Sequence, residues 1–244
     1  AWDFCRVVAS KKGERVLVDG DKMPGAQFFP DARLNFAENL LRRRDDTPAI
    51  LFRAEDQIER KITWNELYNE TSRMAQALRA LGVEAGDRVA GFVPNCPEAI
   101  IVMLAASSIG AIWTSCSPDF GVQGVLDRFG QAKPKVLFTA DGYHYNGKPQ
   151  DSLEKIATVL ADLPSVQLTV VFPLLNEEPE INAVPNSVHW RHFTAAHEPE
   201  DLVFFNFDII LLEWPANPIV PSTYIPLSFI TNLSTVSFKS TCLL

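Results

Sequence analysis

Residues 88–116 read RVAGFVPNCPEAIIVMLAASSIGAIWTSC, and this stretch decides the fold. Residues 88–93 are mostly apolar and are followed by Pro94-Asn95, which predicts a short buried strand that stops at a turn. The apolar run 97–109 is long enough to be a helix, and residues 111–115 predict a second buried strand. A strand, a helix and a strand in this order form a βαβ unit, whose two strands are parallel.

The same alternation continues further along the chain. We predict a helix over residues 122–131, a strand over 135–139, a helix over 152–163 and a strand over 166–172. Strand starts recur every ~24 residues or slightly more, which is the spacing of βα units with short loops. The sequence therefore predicts an α/β fold with a mostly parallel, doubly wound sheet and helices on both faces.

A hairpin and a long helix precede these units. Residues 49–53 and 60–64 predict two short strands joined by a polar turn. Thr63 and Glu66 then form the T-x-x-E pattern of a capping box, which marks the start of a helix. Gly82 is well placed to end that helix, because glycine readily adopts the backbone conformation of a C-terminal cap.

Composition narrows the class of protein. Hydrophobic residues make up 47% and charged residues 21%, which is typical of a globular chain. The balance of 22 Lys+Arg against 30 Asp+Glu, a net charge of −8, argues against nucleic acid or an anionic membrane as the main partner. The apolar run 202–214 contains acidic residues and is too short to span a bilayer, which needs ~20 apolar residues, so we expect no stable membrane insertion.

The cysteines and histidines do not indicate a metal centre. The four cysteines lie far apart without a C-x-x-C pair, so we expect neither a disulfide framework nor a cysteine zinc site. This cysteine usage favours a reducing, cytoplasmic compartment. His189, His192 and His197 lie close together, but the first two have no acidic partner at ligand spacing, so a polar loop is the preferred interpretation.

Ligands of an open parallel sheet bind at the carboxyl ends of its strands, and three loops occupy that edge here. They are residues 94–97, 116–121 and 141–148. The second and third mix glycine with small polar residues, which allows close backbone approach to a ligand but is equally typical of ordinary turns. The common phosphate-binding loops and the nucleophile elbow are missing. Cys96 and Cys116 lie near this edge without a base close in sequence, so we predict no nucleophile there.

Three segments closely resemble one family. They are PDARLNFAENLL at residues 30–41, GAIWTSCSPDFGVQGVLDRF at residues 110–129 and ADGYHYNGK at residues 140–148. Over roughly residues 2–190 the chain is similar to acetoacetyl-CoA synthetases, which are adenylate-forming acyl-CoA ligases. The resemblance implies a reaction in which Mg-ATP converts acetoacetate to an acyl-adenylate and pyrophosphate. The coenzyme A thiolate then attacks this mixed anhydride and yields acetoacetyl-CoA and AMP.

The resemblance also implies a coenzyme A site, but no catalytic residue and no metal ligand in this chain. Ser117, Pro118 and Asp119 would line the channel for the nucleotide end of coenzyme A, partly through their backbone. Lys148 would face a coenzyme A phosphate as a point charge. His144 stands where the family more often has arginine, and a neutral imidazole would weaken an anion contact there.

The resemblance ends after about residue 200. Family members continue there with a phosphate loop rich in serine, threonine and glycine, whereas residues 202–208 read LVFFNFD and cannot form a nest of backbone N–H groups. We predict an N-terminal helical segment over 1–47, an incomplete N-terminal α/β domain of an adenylate-forming ligase over 48–200, and a divergent hydrophobic tail without family motifs over 201–244. One hypothesis is an N-terminal fragment whose tail comes from a shifted reading frame, an unspliced intron or a divergent splice form.

The sequence leaves two functions open. In the first, the complete family enzyme is an acetoacetate–CoA ligase that uses ATP, Mg²⁺ and coenzyme A, whereas this chain alone is inactive and binds at most coenzyme A. In the second, the chain is a non-catalytic module for coenzyme A binding or for protein interaction. The length of the matched motifs disfavours an unrelated nucleotide-binding domain. A parallel sheet that stops within a domain exposes an unpaired edge, so we also expect self-association.

Overall fold

The computed structural model describes residues 2–55, 59–208 and 236–239. Most of the predicted tail, residues 209–235 and 240–244, therefore lies outside the described residues. The helices are α1 (Phe36–Leu40), α2 (Trp64–Ala80), α3 (Pro97–Ser108), α4 (Val122–Ala132), α5 (Leu153–Ala161) and α6 (Trp190–Thr194). The strands are β1 (Leu17–Val18), β2 (Gln27–Phe28), β3 (Arg33–Leu34), β4 (Pro48–Arg53), β5 (Glu59–Thr63), β6 (Arg88–Phe92), β7 (Ile112–Cys116), β8 (Val136–Ala140), β9 (Gly142–Tyr145), β10 (Lys148–Asp151), β11 (Leu168–Phe172), β12 (Ser187–His189), β13 (Phe207–Asp208) and β14 (Val236–Lys239).

Five strands form the central sheet in the order β12-β11-β8-β6-β7, and every neighbouring pair is parallel. From β6 the chain crosses through α3 to β7 on one side, and it then crosses back through α4 to β8 on the other side of β6. The direction of winding reverses here, which confirms the predicted doubly wound α/β sheet. The carboxyl ends of β6 and β8 flank this switch point, where sheets of this kind bind ligands.

Helices cover both faces of the sheet, as predicted. On one face α2 and α3 pack around a core that includes Val89, Leu104 and Phe138. On the other face α4 and α5 pack around a second core that includes Phe129 and Leu137. Leu137 and Phe138 are adjacent in β8 and enter opposite cores, because successive side chains of a strand point to opposite faces.

The predicted hairpin and capped helix are also confirmed. β4 and β5 pair antiparallel, and α2 follows β5 directly. The Thr63 hydroxyl accepts a hydrogen bond from the Glu66 N–H at 3.2 Å, and the Glu66 carboxylate accepts one from the Thr63 N–H at 2.7 Å. Gly82 follows the last turn with a φ of +82°, the left-handed geometry that ends a helix at glycine.

The N-terminal segment consists mainly of turns, so the prediction of a helical segment over residues 1–47 is wrong. Its described residues contain only the five-residue α1 and the two-residue strands β1, β2 and β3. The Asn35 side chain caps the start of α1 by accepting hydrogen bonds from the N–H groups of Ala37 at 2.8 Å and Glu38 at 3.3 Å. Glycines and prolines before this cap favour turns over a longer helix: Gly13, Gly20, Pro24, Gly25 and Pro30.

Residues 198–208 run across α2 and the C-terminal end of α3. Ser72 donates its hydroxyl to the Glu200 carbonyl at 2.7 Å and accepts the Glu200 N–H at 3.0 Å. The Phe205 N–H donates to the Ser108 carbonyl at 2.8 Å, and β13 then pairs antiparallel with β3. The first residues of the predicted tail thus pack on the same helices as the chain before them.

An ion pair joins the β4–β5 hairpin to the start of α3. Arg60 in β5 donates two hydrogen bonds to the Glu98 carboxylate, at 2.6 Å and 2.9 Å. The Arg60 guanidinium also lies 5.0 Å from the centroid of the Phe52 ring, and only 13% of the Glu98 side chain is exposed. The pair therefore fixes the chain immediately after the turn at residues 94–96, one of the three loops predicted at the ligand edge.

We expect Arg60→Ala to lower the free energy of unfolding by about 1–3 kcal/mol, because a mostly buried carboxylate loses two hydrogen bonds from a charged donor. Urea unfolding followed by circular dichroism measures this loss. Glu59→Gln is the matched control, since the Arg53–Glu59 pair has side chains exposed by 72% and 62%, and exposed pairs contribute little. Equal losses for the two variants would contradict a bracing role for Arg60.

Candidate functional site

Two of the predicted loops meet at the carboxyl ends of β7 and β8. The Tyr143 hydroxyl, in β9, donates to one oxygen of the Asp119 carboxylate at 2.8 Å. The Ser117 hydroxyl donates to the other oxygen at 2.7 Å. The structure thus brings the predicted residues Ser117 and Asp119 into direct contact, and it joins their turn to the segment that carries Lys148.

Residues 141–148 lie mostly in a β-hairpin, which corrects the loop expected from their composition. β9 and β10 pair antiparallel around Asn146 and Gly147, whose φ angles are +51° and +71°. A two-residue turn with both φ angles positive is the type that Asn-Gly favours. This dipeptide between two short polar and aromatic runs is therefore the signal that could have predicted the hairpin from sequence.

The register of the hairpin places Lys148 beside the turn at Asp119. Lys148 pairs with Tyr145, and Gln150 pairs with Tyr143, so these four side chains share one face of the hairpin. Because Tyr143 contacts Asp119, the face that carries Lys148 is the face toward that turn. Lys148 is exposed, and none of the described residues forms an ion pair with it.

A lysine from α5 holds the same turn from the other side. Pro118 is buried, and its carbonyl accepts a hydrogen bond from the Lys155 ammonium at 2.7 Å. The ammonium also lies 5.3 Å from the centroid of the Phe92 ring at the end of β6, within range of a cation–π contact. The turn is therefore anchored by Tyr143 and by Lys155. The role of Lys155 could not be predicted from the sequence, because a lysine in an amphipathic helix carries no local signal of such a contact.

Asp141 fixes the loop that follows β11. Only 2% of this residue is exposed, and its carboxylate accepts hydrogen bonds from the N–H groups of Leu174 at 2.7 Å, Leu175 at 3.0 Å and Asn176 at 2.8 Å. A Cβ added to Gly142 would lie 2.4 Å from the Gln150 carbonyl oxygen, a backbone atom that cannot easily move, so only glycine fits there. Asp141 is thus a structural carboxylate that ties the end of β8 to its neighbour.

Burial keeps the two cysteines near this edge protonated. Burial raises the pKa of the Cys116 thiol to about 12, and the nearby cations Arg128 and Lys155 offset this only in part. Burial also raises the pKa of Cys96 well above its usual range, and the Glu98 carboxylate adds to the effect. Because the thiolate is the reactive form, burial makes both thiols poor nucleophiles at neutral pH.

The histidines lie in regular structure, so the prediction of a polar loop is wrong for two of them. His189 ends β12, and His192 lies in α6. A three-residue strand such as β12 depends on its pairing with β11, which local sequence does not reveal. Within the described ranges no group of three or more His, Cys, Asp or Glu could hold a metal ion. The described helices include none with the length and apolar character needed to cross a membrane.

Most of the chain matches a known family. Residues 36–207 match the family described as AMP-binding enzyme, which is more than half of the chain. The chain therefore belongs to the AMP-binding enzymes. The match ends at residue 207, close to the predicted end of the resemblance after about residue 200.

Acetoacetyl-CoA synthetases are among the proteins most similar to this chain, which confirms the resemblance seen in the sequence. The acetoacetyl-coenzyme A synthetase of Rhizobium meliloti (strain 1021) is 50% identical over 204 residues, or 83% of this chain and 31% of that protein. The acetoacetyl-CoA synthetase of Danio rerio is 40% identical over 205 residues, or 82% of this chain and 30% of that protein. The solved structure of acetoacetyl-CoA synthetase from Streptomyces lividans shares 41% identity with a TM-score of 0.77, over 85% of this chain and 31% of that chain. The chain thus spans about a third of the length of these relatives.

Proposed function

We propose that this chain forms the coenzyme A edge of an acetoacetate–CoA ligase. The complete family enzyme converts acetoacetate, ATP and coenzyme A to acetoacetyl-CoA, AMP and diphosphate through an acyl-adenylate. The names of the similar proteins support this substrate. The hydrogen bond from Tyr143 to Asp119 carries the proposal, because it joins the turn that begins at Ser117 to the hairpin that bears Lys148.

The residues at this edge suit the phosphorylated end of a nucleotide. Lys148 is exposed and supplies a compact positive charge, and Ser117 supplies a polar group on the neighbouring turn. The Asp119 carboxylate accepts hydrogen bonds from Tyr143 and Ser117, and we propose that this residue lines the channel through its backbone. Pro118 is buried and anchored, so the backbone of the turn has a fixed shape. When bound, coenzyme A supplies the thiolate that attacks the acyl-adenylate. The contribution of this chain is to bind and orient the nucleotide end, which reduces the entropic cost of that attack.

ATP and Mg²⁺ enter the proposal only as cofactors of the complete family enzyme. In this chain, backbone N–H groups of the segment after Glu200 donate hydrogen bonds to other parts of the fold. The Leu202 N–H donates to the Tyr68 hydroxyl at 2.7 Å, and the Phe205 N–H donates to the Ser108 carbonyl at 2.8 Å. N–H groups engaged in this way cannot also cradle a triphosphate. We therefore expect the isolated chain to form no acyl-adenylate.

A second candidate is a non-catalytic module that binds coenzyme A or another protein. The observation that favours it is the edge strand β7, which pairs only with β6 among the described strands and leaves Ile112 47% exposed. Unpaired strand edges readily pair with another chain, so we propose self-association through β7. A cytoplasmic location fits both candidates, because Cys5, Cys96 and Cys116 are free thiols.

The first prediction of this proposed function concerns adenylate formation. With acetoacetate, ATP and Mg²⁺, we expect the purified chain to release no pyrophosphate above the enzyme-free background, because residues 202–208 do not provide a phosphate loop. A coupled pyrophosphate assay measures this, with the full-length synthetase of Rhizobium meliloti as the positive control. Turnover by the chain alone would show that it holds ATP by some other means.

The second prediction concerns coenzyme A. We expect saturable heat on titration with coenzyme A, and about fivefold weaker binding for Lys148→Ala, the effect of one exposed charge-assisted contact of about 1 kcal/mol. Lys133→Ala is the matched control, because Lys133 is exposed and lies between α4 and the start of β8, at the opposite end of the strands from Lys148. The proposal fails if millimolar coenzyme A produces no saturable heat, or if both variants weaken binding equally.

The third prediction concerns the sheet edge. We expect the chain to elute from gel filtration as a dimer or larger species, and Ile112→Lys to shift it toward the monomer, because lysine on an edge strand opposes strand pairing. Leu51→Lys is the control, since Leu51 is 41% exposed but lies in β4, which is paired on both sides. A monomer at all concentrations, or an equal effect of both substitutions, would rule out association through β7.

A further inference from the structure

The Asp119 carboxylate is held by hydroxyl groups from two different segments. Tyr143 donates to one oxygen at 2.8 Å from the hairpin, and Ser117 donates to the other at 2.7 Å from the turn itself. The Asp119 N–H also approaches the Ser117 hydroxyl at 3.4 Å. The contact from Tyr143 connects the turn to the hairpin, so Tyr143 helps to set how the two segments fit together.

We infer that Tyr143 is a positioning residue for coenzyme A at this edge. Its hydroxyl fixes the Asp119 carboxylate, and that contact sets the position of the turn that begins at Ser117 relative to Lys148. This inference rests on the proposed function, in which coenzyme A binds at the turn and at Lys148.

The register of the hairpin explains why the position of this carboxylate matters. Tyr143 and Lys148 are diagonal neighbours on one face, a separation of about 7–8 Å between backbone positions. The contact from Tyr143 therefore places the Asp119 carboxylate on the side of the hairpin that carries Lys148, where a negative charge lowers the positive potential that a phosphate meets.

A second contact anchors the turn, so the Tyr143 hydroxyl can be removed while the turn keeps its place. The Lys155 ammonium holds the buried Pro118 from α5, through a contact that does not involve the hairpin. Tyr143→Phe keeps the ring and removes only the oxygen that reaches Asp119. The variant therefore tests the contact rather than the packing of the hairpin, and a thermal melt of each variant verifies that the fold is retained.

The test is calorimetric titration of the full chain with coenzyme A. We expect Tyr143→Phe to weaken binding about threefold to tenfold, the effect of losing one partly exposed hydrogen bond to a carboxylate. Tyr145→Phe is the matched control, because Tyr145 lies on the same face directly opposite Lys148 but does not anchor the turn. It should bind coenzyme A as the parent chain does.

Two further titrations separate positioning from general damage. In an Asp119→Asn background, Tyr143→Phe should have less than about half of its effect on log Kd, because the charge to be held is gone. For dephospho-coenzyme A, which carries less negative charge, the effect of Tyr143→Phe should also be smaller. A merely structural role would give the same loss in both backgrounds and for both ligands, and that result would overturn the inference.

The outcomes also distinguish this inference from the function on which it rests. If the parent chain shows no saturable binding of coenzyme A, the proposed function fails and Tyr143 has nothing to position. If the parent chain binds and Lys148→Ala weakens binding while Tyr143→Phe does not, the proposed function stands and the inference about Tyr143 is wrong.

Discussion

The arrangement of this protein depends on β6 being paired on both edges and buried on both faces. Arg88–Phe92 pairs with β7 on one side and β8 on the other, and Val89, Ala90 and Phe92 are fully buried. Parallel neighbours cannot be joined by a tight turn, so each connection has to cross a face of the sheet. As a result, α3 covers one face and α4 the other, and segments from distant parts of the chain leave the sheet at one edge.

Three polar contacts give that edge a fixed shape. The Arg60 guanidinium donates to the Glu98 carboxylate at the start of α3, and backbone N–H groups of the loop after β11 donate to the Asp141 carboxylate. The Lys155 ammonium donates to the Pro118 carbonyl. Each contact satisfies a charged group that the fold has partly or fully removed from water, which would otherwise be costly. All three contacts join groups of the protein itself, which suits a small-molecule site, because such sites are usually largely pre-formed.

The segment after residue 200 packs closely on the rest of the fold. A Cβ on Gly110 would lie 2.7 Å from the Phe205 ring, which indicates close packing of this segment on the end of α3. The Asn35 side chain donates to the Phe205 carbonyl at 2.6 Å, so the backbone here is bound by the fold on both sides. A phosphate loop needs the opposite arrangement, with small residues and unengaged N–H groups that face the ligand. For this reason the edge near Lys148, and not this segment, supports our proposal.

The sequence by itself determined the alternation of strands and helices from residue 49 to residue 172, apart from the β9–β10 hairpin, because burial on one face or on both leaves a periodic pattern of apolar residues. It also determined the cap at Thr63 and the helix end at Gly82, which depend on neighbouring residues alone. Only the tertiary structure decided that Tyr143 reaches Asp119, 24 residues away, and that Lys155 holds Pro118. Such contacts join segments that the crossover connections bring together at one edge of the sheet, and a contact of this kind leaves no periodic or local signal in the chain.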